Sequence, residues 1–206
     1  MVVGVLALQG DFEAHARTLS RLGAEARAVR EPADLVGLDA LVLPGGESTT
    51  MTLGIEREGL AEPLRDLVRA GTPTLGTCAG LIMLDRAHLD LLDVRAERNG
   101  FGRQVASFEE ELELALYSGA EAEPVRAVFI RAPWVAEHGE EVEVLACVRG
   151  RPVAVRQGDV LAVAFHPELA GEERLHRWLL ERAAVRRERD AGDSRDRVSE
   201  PARPAA

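Results

Sequence analysis

The first half of the chain alternates between short apolar runs and segments with helical spacing of apolar positions. Val2–Leu8 (VVGVLAL) is almost unbroken apolar sequence, as expected of a strand covered on both faces. Asp11 stands where it can cap a helix carrying Phe12, Ala16, Leu19 and Leu22 on one side. Ala24–Val29 and Ala40–Leu43 read as two further strands, the second ending abruptly at Pro44-Gly45-Gly46. Leu60–Ala70 is an amphipathic helix stopped by Gly71 and Pro73, followed by a strand at Thr74–Thr77 and a helix beginning at Ala79–Leu84. Strands alternating with helices predict a mostly parallel, open α/β sheet with helices on both faces.

The second half changes character. Val125–Arg131, Val142–Val148, Arg151–Gln157 and Val160–Phe165 are strand-like, and Arg149-Gly150 and Gly158-Asp159 separate neighbouring runs as hairpin turns do. Antiparallel strands are therefore expected there. A last helix spans about Glu172 to Arg187, with Leu175, Trp178 and Leu179 on its inner face. Beyond Glu188 apolar residues nearly vanish, which predicts one domain over 1–187 and a disordered tail over 188–206.

Composition narrows the possibilities. The 206 residues suffice for a real core, and a net charge of −10 argues against nucleic acid as the main partner. No apolar run approaches the ~20 residues of a membrane helix. The apolar start lacks a basic flank and a cleavage site, so it is expected to be a core strand of a cytoplasmic protein whose two cysteines stay reduced. All 25 basic residues are arginine. Without lysine the chain cannot form a Schiff base or a Walker-type phosphate loop.

Three short motifs follow predicted strands. Gly76-Thr77-Cys78-Ala79-Gly80 matches a nucleophile elbow with cysteine in the serine position. Such a turn holds a thiol at a helix N-terminus, where the dipole favours the thiolate. Phe165-His166-Pro167-Glu168 closes the last apolar strand. Pro167 keeps His166 out of helical geometry, and residues two apart in an extended chain face the same way, so Glu168 can orient the imidazole. Leu43-Pro44-Gly45-Gly46-Glu47-Ser48-Thr49 offers backbone N–H groups for an oxyanion hole, although alone it is better read as a plain turn with Ser48 capping a helix. Each motif has a bland alternative: a core cysteine, a satisfied histidine, a Gly-rich turn. Together they supply nucleophile, oriented base and oxyanion donors, the set acyl transfer needs. His15, His88, His138 and His176 show no metal-ligand spacing, and Cys147 reads as a small apolar residue in a strand.

These motifs, with Gly4–Gly10, Glu97-Arg98-Asn99, Phe101–Val105 and Val128–Pro133, resemble those of the class I, triad-type glutamine amidotransferases. Within that family, of flavodoxin-like fold, the chain is similar to the glutaminase subunits of pyridoxal 5′-phosphate synthases. The resemblance implies that Cys78 attacks the glutamine amide, His166 moves protons and Glu168 orients it. It implies a substrate pocket of Gly46, Glu47, Ser48, Arg98, Ile130 and Arg131, and an oxyanion hole at the Gly46 and Ala79 amides. Gln9 is expected beside that hole and the partner interface. No cofactor or metal is implied. The implied partner is the synthase subunit, a (β/α)₈ barrel that uses the ammonia. The segment between Leu84 and His88 is shorter than the family pattern, which suggests a truncated helix, and Gly100 stands where a small side chain is expected. A glutaminase serving another synthase, a cysteine hydrolase of similar fold, and a non-catalytic regulatory subunit are the alternatives.

Overall fold

In the computed structural model, which describes residues 1–98, 107–116 and 123–199, the apolar runs of the first half form one sheet. Strands β1 (Val2–Leu6), β2 (Glu25–Val29), β3 (Ala40–Leu43) and β4 (Thr74–Thr77) are joined by β11 (Val160–Val163), all parallel. Two antiparallel strands, β10 (Arg151–Gln157) and β9 (Glu143–Val148), extend the far edge. The order is β2-β1-β3-β4-β11-β10-β9. Both turns flagged as hairpins carry left-handed backbone, at Arg149, Gly150 and Gly158.

Helix α1 (Phe12–Arg21) packs on β1 and β2, while α4 (Ala79–Leu84) and α6 (Arg174–Ser199) pack against the centre of the sheet. The β2–β3 connection holds only a 3₁₀ turn, Pro32–Leu35, rather than a full helix. Two helices, α2 (Ser48–Arg57) and α3 (Ala61–Arg69), lie between β3 and β4. Leu41, Leu43, Leu75, Leu161, Phe165 and Trp178 are almost fully buried at the centre. Each such side chain contributes roughly 1.5–3 kcal/mol of apolar burial. Leu175, Trp178 and Leu179 all face inward, as their spacing predicts.

Outside the main sheet stand two antiparallel ribbons. One pairs β5 (Val94–Glu97) with β8 (Trp134–His138); the other pairs β6 (Ser107–Leu114) with β7 (Glu123–Ile130). Phe129 of β7 stacks on Phe108 at 4.6 Å and meets Phe165 edge-on at 5.7 Å, which ties the second ribbon to the main core.

Several expectations need correction. The first strand ends at Leu6, not Leu8. The helix after the elbow is short, as the missing residues suggest: buried Asp85 ends it. Its Oδ1 accepts from the Ala87 amide at 2.9 Å and pairs with His88 Nδ1 at 2.7 Å. Cys147 is on β9 but faces outward, so it is not core packing. The last helix continues past Arg187 to Ser199, with an Arg186–Asp190 pair at 3.7 Å one turn apart along it. Asn99, Gly100, Phe101–Val105 and residues 200–206 lie outside the described residues.

Phe129→Ala is expected to destabilise the fold by about 3–5 kcal/mol. Chemical denaturation followed by circular dichroism reads this directly, and an unchanged midpoint would contradict the packing described.

Candidate active site

Parallel strands all finish at the same sheet edge, and ligands of open α/β sheets bind there. Gln9 follows β1, Gly45–Ser48 follow β3, Cys78 follows β4 and His166 follows β11. The predicted motifs therefore converge because their strands are neighbours.

Cys78 sits at the β4-to-α4 turn with φ 47° and ψ −103°, a strained conformation for a side chain-bearing residue. Gly80 makes the turn possible: a Cβ there would lie 1.9 Å from the Leu43 carbonyl oxygen. The Cys78 amide donates to the Val163 carbonyl at 2.8 Å, so the elbow is pinned to β11. The thiol lies 4.0 Å from the Ile130 carbonyl oxygen. Next to Ile130, Arg131 is also left-handed, at φ 44°, so two strained residues flank the site.

His166 Nδ1 is 2.7 Å from Glu168 Oε1, with both residues buried. They meet by a route other than strand alternation. β11 ends at Val163, and Pro167 opens a one-turn helix, α5 (Pro167–Ala170), with His166 as its N-cap. Glu168 turns back from that helix onto the imidazole. Burial disfavours the imidazolium, but hydrogen bonds to Cys78 and Glu168, with their negative charge, outweigh it and lift the His166 pKa to about 10.

Gly46 adopts φ 148°, and a Cβ there would collide with the Gln9 amide at 2.2 Å. Gln9 Nε2 donates to the Glu47 carbonyl at 2.9 Å, clamping the Gly45-Gly46 loop. Glu47, not Ser48, caps α2: its carboxylate accepts the Thr49 and Thr50 amides at 3.0 and 2.7 Å. Those backbone bonds lower its pKa to about 2. Arg98 Nη1 donates to Thr49 Oγ1 at 3.1 Å.

Gly46, Glu47, Ser48, Cys78, Ala79, Arg98, Ile130, Arg131 and His166 line one cavity of about 360 Å³. Glu168 stands behind His166, and Gln9 reaches the cavity through the Glu47 loop. A larger hollow of about 590 Å³ between α1 and β2 contains none of these side chains, so volume alone does not mark the site. Sequence reasoning missed Ile82 and Pro133, which complete the wall. It also assigned Asp11 to capping, yet its side chain makes no cap hydrogen bond. Asp11 instead lines the cavity, and one ligand atom each from Asp11, His166 and Glu168 lies within 4.8 Å of the others. His166 and Glu168 are already bonded to each other, and Asp11 stands beside that pair.

Behind the site lie two histidines that carried no sequence signal. His15 Nδ1 is 2.8 Å from His176 Nε2, and His15 Nε2 is 3.2 Å from Thr77 Oγ1 and 3.4 Å from Glu168 Oε2. Burial, then the neighbouring His176 and His166, hold the His15 pKa well below its usual value. Burial is also the main cause that lowers His176 to about 4.

Residues 5–185 match the SNO glutamine amidotransferase family. The chain belongs to that family. Among its relatives, the pyridoxal 5′-phosphate synthase subunit PdxT of Frankia alni is 52% identical, over 87% of this chain and 93% of that protein. The subunit of the same name from Mycobacteroides abscessus is 49% identical, over 87% and 96%. A crystal structure of a glutamine amidotransferase superposes with a TM-score of 0.81 at 49% identity, covering 89% of this chain and all of that one.

The histidines give opposite pH signatures. The raised His166 pKa adds stability that is complete below pH 6.5 and lost as pH rises through about 10. His176, lowered to about 4, remains neutral in the fold while the unfolded chain protonates, so its effect is to remove stability as pH falls from 6.5 toward 4. Denaturant melts from pH 4 to 8 should therefore weaken on the acid side in the parent, and less so in His176→Gln. Equal acid sensitivity of the two would refute this assignment.

Proposed function

We propose that the chain hydrolyses L-glutamine to L-glutamate and ammonia, as the glutaminase subunit of a pyridoxal 5′-phosphate synthase. The observation that supports this reading is Cys78 and the Glu168-bonded His166 lining one cavity at the sheet edge, in a chain about half identical to such subunits.

In the proposed reaction the Cys78 thiolate attacks the side-chain amide carbon. The Gly46 and Ala79 N–H groups receive the developing oxyanion. The Ala79 amide suits this because the first amides of a helix lack intrahelical partners. His166, held as imidazolium, gives its Nε2 proton to the departing nitrogen, and ammonia leaves. Water then attacks the thioester carbon as His166 takes its proton, and glutamate is released with the thiol restored. Glu168 keeps His166 Nδ1 protonated and correctly turned. Arg98 and Arg131 are assigned to the substrate carboxylate, which a guanidinium fork can grip at two points. Gly46, Glu47, Ser48 and Ile130 shape the rest of the pocket. Glu47 acts through its backbone, since its carboxylate is committed to the α2 cap.

The partner we assign is the synthase subunit, a (β/α)₈ barrel that consumes the ammonia. A chain without lysine cannot supply the imine chemistry, so that step belongs to the partner. Gln9 is assigned to the interface and to support of the oxyanion loop, and the reaction to the cytoplasm. Residues 1–187 are taken as the amidotransferase domain, in keeping with the matched span of 5–185.

Cys78→Ala should lower glutamine hydrolysis by more than about a thousandfold, with an unchanged far-ultraviolet spectrum. Retained turnover would reject the reading. Addition of the synthase subunit should speed the parent chain, and identical rates with and without it would reject the partnership.

A further inference from the structure

We propose that His15 is a positioning residue for the triad: from α1 it directs an Nε2–H at Glu168 Oε2 and so holds the carboxylate square to His166. This rests on the reading of Cys78, His166 and Glu168 as the catalytic machinery. It adds a residue that the elbow, the His-Pro-Glu motif and the pocket do not contain.

The geometry starts from an imbalance in Glu168. Its Oε1 is 2.7 Å from His166 Nδ1, while its buried Oε2 has no close hydrogen-bond partner among the described residues. A buried carboxylate oxygen without a donor is costly. His15 Nε2, at 3.4 Å, stands ready to supply one, and both side chains are fully buried. A carboxylate held at one oxygen can pivot about that bond. Held at both, it is fixed in plane.

The tautomer follows from the same contacts. Were the His15 proton on Nδ1, the Nε2 lone pair would face a carboxylate oxygen that lacks any other donor. With the proton on Nε2, His15 Nδ1 is the acceptor, His176 Nε2 at 2.8 Å is the donor this tautomer requires, and the buried, unpartnered His176 Nδ1 carries the lone pair. The proton positions then run in one direction: from His176 to His15, from His15 to Glu168, and from His166 to the other oxygen of Glu168. Thr77 Oγ1, at 3.2 Å, shares the His15 Nε2–H and links the series to β4, one residue before Cys78.

The groups facing His15 are Glu168 from α5, His176 from α6, Thr77 from β4 and, more distantly, His166. Burial and the two other histidines hold His15 neutral, so it acts as a donor and not as a second cation. That leaves the Glu168 charge available to the His166 imidazolium. Arg21, near the end of α1, pairs with Glu173 at 2.9 Å and fixes the helix that presents His15.

The test compares His15→Leu, which removes the donor, with His15→Gln, whose amide restores one at similar reach. Both are made in the full chain and assayed with the synthase subunit present. Two readouts are taken: steady-state glutamine hydrolysis, and the rate at which iodoacetamide alkylates Cys78. His15→Leu should lower kcat about tenfold or more with the KM for glutamine within about twofold, and slow alkylation in parallel. His15→Gln should restore both to within about threefold of the parent. If His15→Leu does not fold, His15→Asn, whose amide falls short of Glu168, takes its place with the same expectation. Folded Leu and Gln variants equally slow would make His15 a packing residue only and overturn the proposal, as would a Leu variant as fast as the parent. If the parent fails to hydrolyse glutamine while alkylation follows the expected order, the glutaminase reading falls and the positioning role stands.

Discussion

Parallel pairing of β4 with β11 sets Thr77 opposite Val163, and the next residue, Cys78, still donates its amide to the Val163 carbonyl. Two segments about ninety residues apart in sequence are thereby brought out of the sheet side by side. Everything chemical depends on this registration. Slipped by one residue, β11 would turn each of its side chains to the opposite face, and His166 would emerge away from the thiol. The close packing of Gly80 on Leu43 locks the elbow to β3 on the other flank, so Cys78 is fixed from both sides.

Within that frame the charges are arranged at close range and under cover. Desolvation works against the His166 imidazolium, and only the sulfur and the carboxylate beside it reverse the balance. The neighbouring His15 and His176 experience desolvation without comparable compensation and stay neutral. One small region thus shifts one histidine up and two down, through the placement of both a thiol and a carboxylate beside His166 alone of the three. The strained backbone at Cys78 and Arg131 fits the same pattern, since both depart from ordinary geometry where the cavity wall requires it.

Much of this was legible in sequence because it rests on local signals. The apolar runs at β1, β3 and β11 are buried on both faces and read as such, and the Gly-flanked cysteine announces its own turn. The residues that escaped do so for identifiable reasons. Ser107–Leu114 (SFEEELEL) is rich in glutamate, a poor strand former, and becomes β6 only through pairing with β7. Glu168 reaches His166 from a one-turn helix, a geometry that i, i+2 spacing cannot distinguish from strand alternation. His15 and His176 lie 161 positions apart and meet only after α1 and α6 have docked. Asp11 is an ordinary capping residue by its position, and only tertiary structure turns it toward the cavity.

The cavity has two kinds of wall. Gly46, Cys78, Ala79 and His166 hang from the main sheet, whereas Arg98, Ile130, Arg131 and Pro133 come from the two ribbons or the turn between β7 and β8. The ribbons add no strand to the seven-stranded frame. Cys78 and His166 are therefore housed on one scaffold and Arg98 and Arg131 on another, and the second can drift in sequence without disturbing the register that aligns the first. A fold divided in this way can keep one reaction while changing what it admits.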